Sequence, residues 1–130
     1  MASGPQAERD WVAIARGRCP ECGLDASAPP TRRLADSVRS VARRWRLFLA
    51  TTPDKRLRRR PRPDHWSALE YAAHTRDVLR VFAERVDLAL HADNPDLGWW
   101  DHERAAVDER YNEQDRDAVA AVLEANADLL

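Results

Sequence analysis

Glycine is scarce in this sequence, with only four among 130 residues, and runs of β-branched residues are few. Alanine, leucine and arginine are abundant instead, and these residues favour helix over strand. The hydrophobic content of 44% and the five tryptophans argue against a disordered chain. They are sufficient for the core of one domain. The composition therefore predicts an all-α fold.

Long apolar runs are also missing. No stretch approaches the roughly 20 residues that a membrane span needs. The N-terminus lacks the basic region followed by an apolar region that is typical of a signal peptide. We therefore predict a cytoplasmic protein with no membrane partner.

Lysine is nearly absent, since arginine supplies 20 of the 21 basic residues. Residues 1–65 carry 15 basic against 7 acidic side chains, and residues 66–130 carry 6 against 15. Because both halves have helical periodicity, we interpret this asymmetry as oppositely charged elements packed in one domain. Six cations fall within residues 55–63, but no aromatic residue is interleaved with them as in single-strand binders. This run predicts a solvated connector, with binding to nucleic acid or acidic partners as the disfavoured alternative.

Only two cysteines are present, and they form a C-x-x-C motif at Cys19 and Cys22 within CPECG. Two thiolates at this spacing can bind one metal ion, and Gly23 permits the positive φ of the turn. A structural zinc ion needs four ligands, so histidine, carboxylate or another chain would have to supply the rest. The alternatives are a redox dithiol, two inert thiols or, least favoured in the cytoplasm, a disulfide.

Three helices are predicted from apolar periodicity. The first runs from about Leu34 to Leu49 and ends before Pro53. The second begins with a capping box at Ser67 and ends at Asn94. The third begins near Asp115, which can cap it, and its apolar pattern continues to Leu130.

The second helix has the clearest start. Ser67 and Glu70 form the capping box, and Trp66 and Tyr71 can close over it as a hydrophobic staple. At 100° per residue one apolar face is predicted to turn inwards, with Glu70 and Asp77 on the opposite face. The predicted inward face comprises Ala68, Tyr71, Thr75, Val78, Leu79, Phe82, Val86 and Ala89. His74 lies at its edge, where a cleft between helices would open.

The segment before the third helix contains Trp99, Trp100 and His102. Adjacent tryptophans in a loop usually cover the edge of a core. His102 has acidic neighbours, but adjacent residues in extended chain point apart. We therefore do not predict a metal site at His102.

Several of these motifs resemble those of a known family. Residues 66–78, WSALEYAAHTRDV, with residues 81–85, VFAER, resemble the second helix of the DinB/YfiT-like superfamily. CPECGLD at residues 19–25, WD at 100–101 and RYNEQD at 110–115 are similar to landmarks of an actinobacterial DinB-like subgroup.

The resemblance implies a four-helix bundle with a divalent metal, zinc or nickel-like, held by three histidines. His74 matches the first ligand, and the other two belong to the fourth helix. Related proteins include thiol-dependent S-transferases and mycothiol-dependent maleylpyruvate isomerases. A low-molecular-weight thiol would thus be the cofactor, and a small thiol or electrophile the substrate. A bound metal lowers a thiol's pKa and creates a nucleophile at neutral pH.

This chain departs from the family pattern, because the third helix is expected to be still running at Leu130 and the fourth helix is missing. His65, His91 and His102 do not match its histidines. We expect either a fragment of a longer enzyme or a short form that has lost the site, so enzymatic activity and catalytic residues stay open. The alternative functions are a non-catalytic zinc module built on the cysteines and an interaction protein.

The domain prediction is an N-terminal C-x-x-C segment over residues 1–28 and an incomplete DinB-like bundle over residues 29–130. Three amphipathic helices of a four-helix design leave an apolar groove uncovered, which monomers seldom tolerate. We therefore predict that the chain self-associates as a homo-oligomer.

Overall fold

The computed structural model describes residues 16–27 and 31–130. Residues 1–15 and 28–30, which belong to the predicted N-terminal segment and its boundary, lie outside the described residues. The chain falls into two units, divided after Leu34. In the first unit, residues 18–25 form a tight turn closed by an isolated bridge between Arg18 and Asp25.

The second unit is helical, as predicted. The helices are α1 (Thr31–Thr51), α2 (Asp54–Leu57), α3 (Ala68–His91), α4 (His102–Asp108) and α5 (Arg116–Ala127), with a 3₁₀ turn at Tyr111–Glu113. The described residues contain no strand beyond the isolated bridge, so the all-α prediction is confirmed. None of the helices in the described ranges has the length and apolar character needed to cross a membrane.

The start of α3 follows the predicted capping box. The Ser67 hydroxyl accepts a hydrogen bond from the Glu70 backbone N–H at 3.2 Å, and the Glu70 carboxylate accepts one from the Ser67 N–H at 2.7 Å. The Trp66 and Tyr71 rings lie 5.4 Å apart over this start. Local sequence chemistry therefore fixes where α3 begins.

The start of α5 is also as predicted, but its end is not. Asp115 accepts a hydrogen bond from the Ala118 N–H at 2.8 Å and caps the helix. The helix ends at Ala127 rather than continuing to Leu130. Asp128 carries a negative charge at the C-terminal end, where the helix dipole disfavours it, and its carboxylate accepts a 3.3 Å hydrogen bond from Arg39 of α1.

The core lies where α1, α3 and α5 meet. One cluster includes these almost completely buried side chains: Leu49 of α1, Leu69 of α3, Val119 of α5 and Tyr111 of the 3₁₀ turn. A second cluster joins Ala42, Leu79, Leu123 and Ala127, and Trp45 packs against both clusters. Alanines at positions 72, 73 and 120 keep the core side of α3 and α5 small, and α3 packs most extensively against α5.

The inward face predicted for α3 is wrong. Tyr71, Phe82 and Val86 were expected inside, but they are 46%, 48% and 48% exposed. Glu70 and Asp77 were expected outside, but they are only 2% and 4% exposed. The buried side of α3 therefore contains Glu70 and Asp77 beside small and aliphatic side chains such as Ala73 and Leu79, and several large apolar side chains lie on its surface.

Asp77 tolerates burial because it has strong partners. Arg76 donates to both carboxylate oxygens, at 2.7 and 3.0 Å, and the Tyr111 hydroxyl donates to one of them. Arg76 also donates to the Gln114 side chain at 2.7 Å. A buried charge that is paired and hydrogen-bonded on several sides is stable where an isolated one is not.

The basic connector is partly bound to the bundle. Arg60 forms an ion pair with the buried Glu70. Arg58 donates to the backbone oxygens of Asn112 and Gln114, at 2.8 and 3.1 Å. Two of the six cations in residues 55–63 therefore have a structural role, which the prediction of a solvated connector missed.

Glu70 should make stability depend on pH. Burial would raise the pKa of Glu70, but hydrogen bonds from Arg60 and Ser67 outweigh it and leave the pKa below its ordinary value of 4.5. A carboxyl with a lowered folded-state pKa stabilises the fold above its ordinary pKa, and this stability is lost as pH falls through the folded-state value. We expect the free energy of unfolding, from urea titrations at a series of pH values, to decline below about pH 4.5.

The variant Glu70→Gln should show a shallower acid decline than wild type, because its side chain has no proton to gain. Glu84→Gln, on the exposed side of the same helix, is the matched control and should retain the wild-type slope. Equal slopes for wild type and Glu70→Gln would contradict this account of the buried pair.

Exposed apolar side chains occur on α1 as well as α3. Val41, Trp45 and Phe48 line a cavity of about 320 Å³ together with Arg44. These surfaces agree with the expected uncovered groove, and self-association stays a prediction.

Candidate functional site

His74 lies in the second turn of α3, inside a group of aromatic rings. Its ring centroid is 5.1 Å from that of Trp66, 5.7 Å from that of Trp100 and 5.5 Å from that of His102. The Trp100 ring is stacked on His74, with the two planes only 6° apart. We call these four residues the aromatic pocket.

Two elements build this pocket. Trp66 precedes the cap of α3, so the capping box that starts the helix also places this ring. Asp101 caps α4 by accepting a hydrogen bond from the Arg104 N–H at 2.9 Å. This cap makes His102 the first residue of α4 and holds Trp100 immediately before it.

Arg85 of α3 fixes the loop that leads to Trp100. Its guanidinium donates to the backbone oxygens of Leu97 and Gly98, at 3.3 and 2.9 Å. Gly98 has a φ of +65° and donates its N–H to the Asp96 carboxylate at 2.8 Å. Glycine adopts this conformation without strain. The two Arg85 hydrogen bonds bring the end of the loop back to α3, the helix that carries His74.

The His74 ring contains an unsatisfied polar atom. Its Nδ1 is the only buried side-chain nitrogen or oxygen among the described residues that has no hydrogen-bond partner. Burial, followed by the nearby His102, lowers the pKa of His74, and this outweighs the opposite effect of Asp77 and Glu103. The ring is therefore neutral at pH 7, which is the form that binds metals.

His102 belongs to the aromatic pocket, and this contact with His74 was not predicted from the sequence. Its side chain is half-exposed, and its Nε2 lies 3.7 Å from the Glu103 carboxylate. The neighbours of His102 in sequence gave no reason to expect its contact with His74, because the two histidines lie on different helices. The signal that could have found it is Asp101, a good N-cap residue that starts a helix at His102.

The two imidazole rings are neighbours. Their 5.5 Å separation is close to the roughly 5 Å expected between two imidazole rings on a tetrahedral zinc with ordinary bond lengths. No group of three potential histidine, cysteine or carboxylate ligands occurs within the described ranges. The pocket thus brings two histidines together without a third potential metal ligand among the described residues.

A groove borders the pocket at Trp100. It has a volume of about 300 Å³, with an apolar part formed by Val81, Leu88, Leu97, Trp99 and Trp100. Arg80, Glu84 and Arg85 also line it. Because Arg80 pairs with Glu84 at 2.9 Å, the apolar floor is the part of the groove that suits a small molecule.

Cys19 and Cys22, the other predicted metal ligands, belong to the first unit. Both are free thiols, with Cys19 buried and Cys22 exposed. His65 and His91 are not part of the aromatic pocket: His65 contacts Arg62 and Asp64, and His91 contacts Asp87.

The family model of the DinB superfamily matches residues 37–130, which include the whole aromatic pocket. The chain belongs to the DinB superfamily. This confirms the family predicted from its motifs, while the actinobacterial subgroup stays a prediction. No match was found among curated proteins or solved structures.

Proposed function

We propose that this DinB superfamily protein holds a divalent metal ion at His74 and uses it with a low-molecular-weight thiol in S-transfer or isomerisation. The observation that carries the proposal is the buried Nδ1 of His74, which has no hydrogen-bond partner. A buried polar atom without a partner is costly, and coordination of a ligand or ion would remove that cost.

His74 and His102 are the residues that would hold the metal. Both present imidazole nitrogens, which suit zinc and nickel. When bound, such an ion lowers the pKa of a coordinated thiol, so that the thiolate is present at neutral pH. The family resemblance places two further histidines on a fourth helix, and the 130 residues contain no counterpart to them. In our proposal His102, which comes from a different part of the bundle, is the second nitrogen ligand.

The remaining pocket residues have simpler roles. Trp66 and Trp100 cover the His74 ring and keep water from it. The groove beside Trp100 would accept the electrophilic substrate or the body of the thiol.

A test of this function uses metal-loaded protein, mycothiol as the thiol and either maleylpyruvate or a chromogenic aryl halide as the electrophile. We expect product formation that requires both metal and thiol and that His74→Ala abolishes. The matched control is His91→Ala, which removes an exposed histidine at the other end of the same helix. Equal turnover by His74→Ala and wild type would contradict the proposal.

An alternative function is self-association, which the exposed apolar side chains on α1 and α3 support. Phe48 and Phe82 are 41% and 48% exposed, and a second copy that covered such side chains would remove apolar area from water. In this alternative the protein is a non-catalytic interaction module.

A further inference from the structure

The C-x-x-C motif forms a tight, hydrogen-bonded turn, which we call the knuckle. The Cys19 N–H donates to the Leu24 backbone oxygen at 2.7 Å, and the Gly23 N–H donates to the Cys19 oxygen at 2.8 Å. Gly23 has a φ of +74°, which the turn requires and which glycine adopts readily. These backbone bonds hold the two cysteines on one short turn.

Several donors point at the Cys19 sulfur. The backbone N–H groups of Cys22 and Glu21, and then the Cys22 thiol, are its hydrogen-bond donors. Hydrogen bonds to a sulfur stabilise the thiolate, which is the form that binds metal. The Cys22 side chain is exposed and that of Cys19 is buried, so Cys22 is the sulfur that this turn presents to a partner.

The chain offers few candidates to complete the site. Its 130 residues contain no third cysteine. Within residues 16–27 and 31–130, no histidine or carboxylate joins the two cysteines in a group of three potential ligands. A structural zinc ion is almost always four-coordinate, and sites with four cysteines are common. Two identical knuckles related by a twofold axis would supply four sulfurs.

We propose that Cys19 and Cys22 form half of a zinc site, which the same two cysteines of a second copy of this chain complete. One Zn²⁺ replaces up to four thiol protons and binds four thiolates, which links two chains. This site is independent of the one at His74. It also gives self-association a cause that differs from the exposed apolar side chains.

The test measures zinc in the reduced, full 130-residue chain carrying His74→Ala, so that zinc at the aromatic pocket does not contribute. We expect about one zinc per two chains, with X-ray absorption showing four sulfur neighbours at about 2.3 Å. Native mass spectrometry should give a dimer that contains one zinc.

Two variants make the test specific. Cys22→Ser, at an exposed position, should lose the bound zinc, whereas Glu21→Gln, which keeps both sulfurs in the same turn, should retain it. One zinc per chain with two sulfur neighbours would overturn the proposal, because the other ligands would then come from the same chain. Absence of zinc from the reduced protein would overturn it as well.

Discussion

Replacing Asp77 by alanine is expected to destabilise the helical bundle by roughly 3–5 kcal/mol. The Arg76 side chain is only 13% exposed, and Asp77 neutralises it through two hydrogen bonds. Without Asp77, the positive charge of the Arg76 guanidinium stays in the interior without its carboxylate partner. The Tyr111 hydroxyl also loses its hydrogen-bond acceptor. Removing one partner of a buried ion pair is costly because the other charge remains buried.

Burial would raise the pKa of Asp77, but hydrogen bonds from Arg76 and Tyr111 outweigh it and leave the pKa below its ordinary value. The carboxylate is therefore charged at pH 7, where the stability measurement should be made. Urea unfolding followed by circular dichroism gives the free energy of unfolding for wild type and variant.

The matched control is Glu84→Ala on the same helix. Glu84 pairs with Arg80 at 2.9 Å, but both side chains are exposed, so the loss should be no more than about 1 kcal/mol. Similar losses for Asp77→Ala and Glu84→Ala would contradict the role assigned to the buried pair.

Replacing His74 by alanine is expected to weaken metal binding at least about a hundredfold, since removing even an outer-shell partner of a metal ligand typically costs 10–100-fold. His74 is the more buried of the two histidines and carries the unsatisfied nitrogen. Affinity for zinc or nickel can be measured by competition with a chromophoric chelator. Unchanged affinity in His74→Ala would contradict the proposed site. The measurement should use a Cys22→Ser background, so that the knuckle does not compete.

His102→Ala distinguishes a two-histidine site from one built on His74 alone. If both rings bind the ion, we expect the affinity to fall by at least about tenfold. His91→Ala should leave it unchanged. If the metal affinity falls in His74→Ala but not in His102→Ala, His74 remains a ligand, as the family resemblance implies. His102 is then rejected as the second ligand.

Local chemistry explains which features could be predicted from the sequence. The capping box at Ser67 and the cap at Asp115 involve residues three positions apart, and both helix starts were correct. The inward face of α3 was wrong because burial of Asp77 depends on Tyr111, far away in sequence. Hydrophobic periodicity has no information about such distant polar partners.

The candidate site could likewise be predicted only where it depends on local sequence. His74 could be placed beside a cleft from α3 alone, although the apolar face used for that inference is not the buried one. The approach of His102 could not be inferred, because it depends on Arg85 holding the loop at Leu97 and on the cap that starts α4. Both are interactions between segments that periodicity treats separately.

The most direct test of the central claim is anomalous diffraction at the metal absorption edge, on crystals of the Cys22→Ser chain loaded with zinc or nickel. The account predicts an anomalous peak about 2.0–2.1 Å from an imidazole nitrogen of His74 and from one of His102. A metal bound elsewhere, with the His74 ring free of it, would contradict the account.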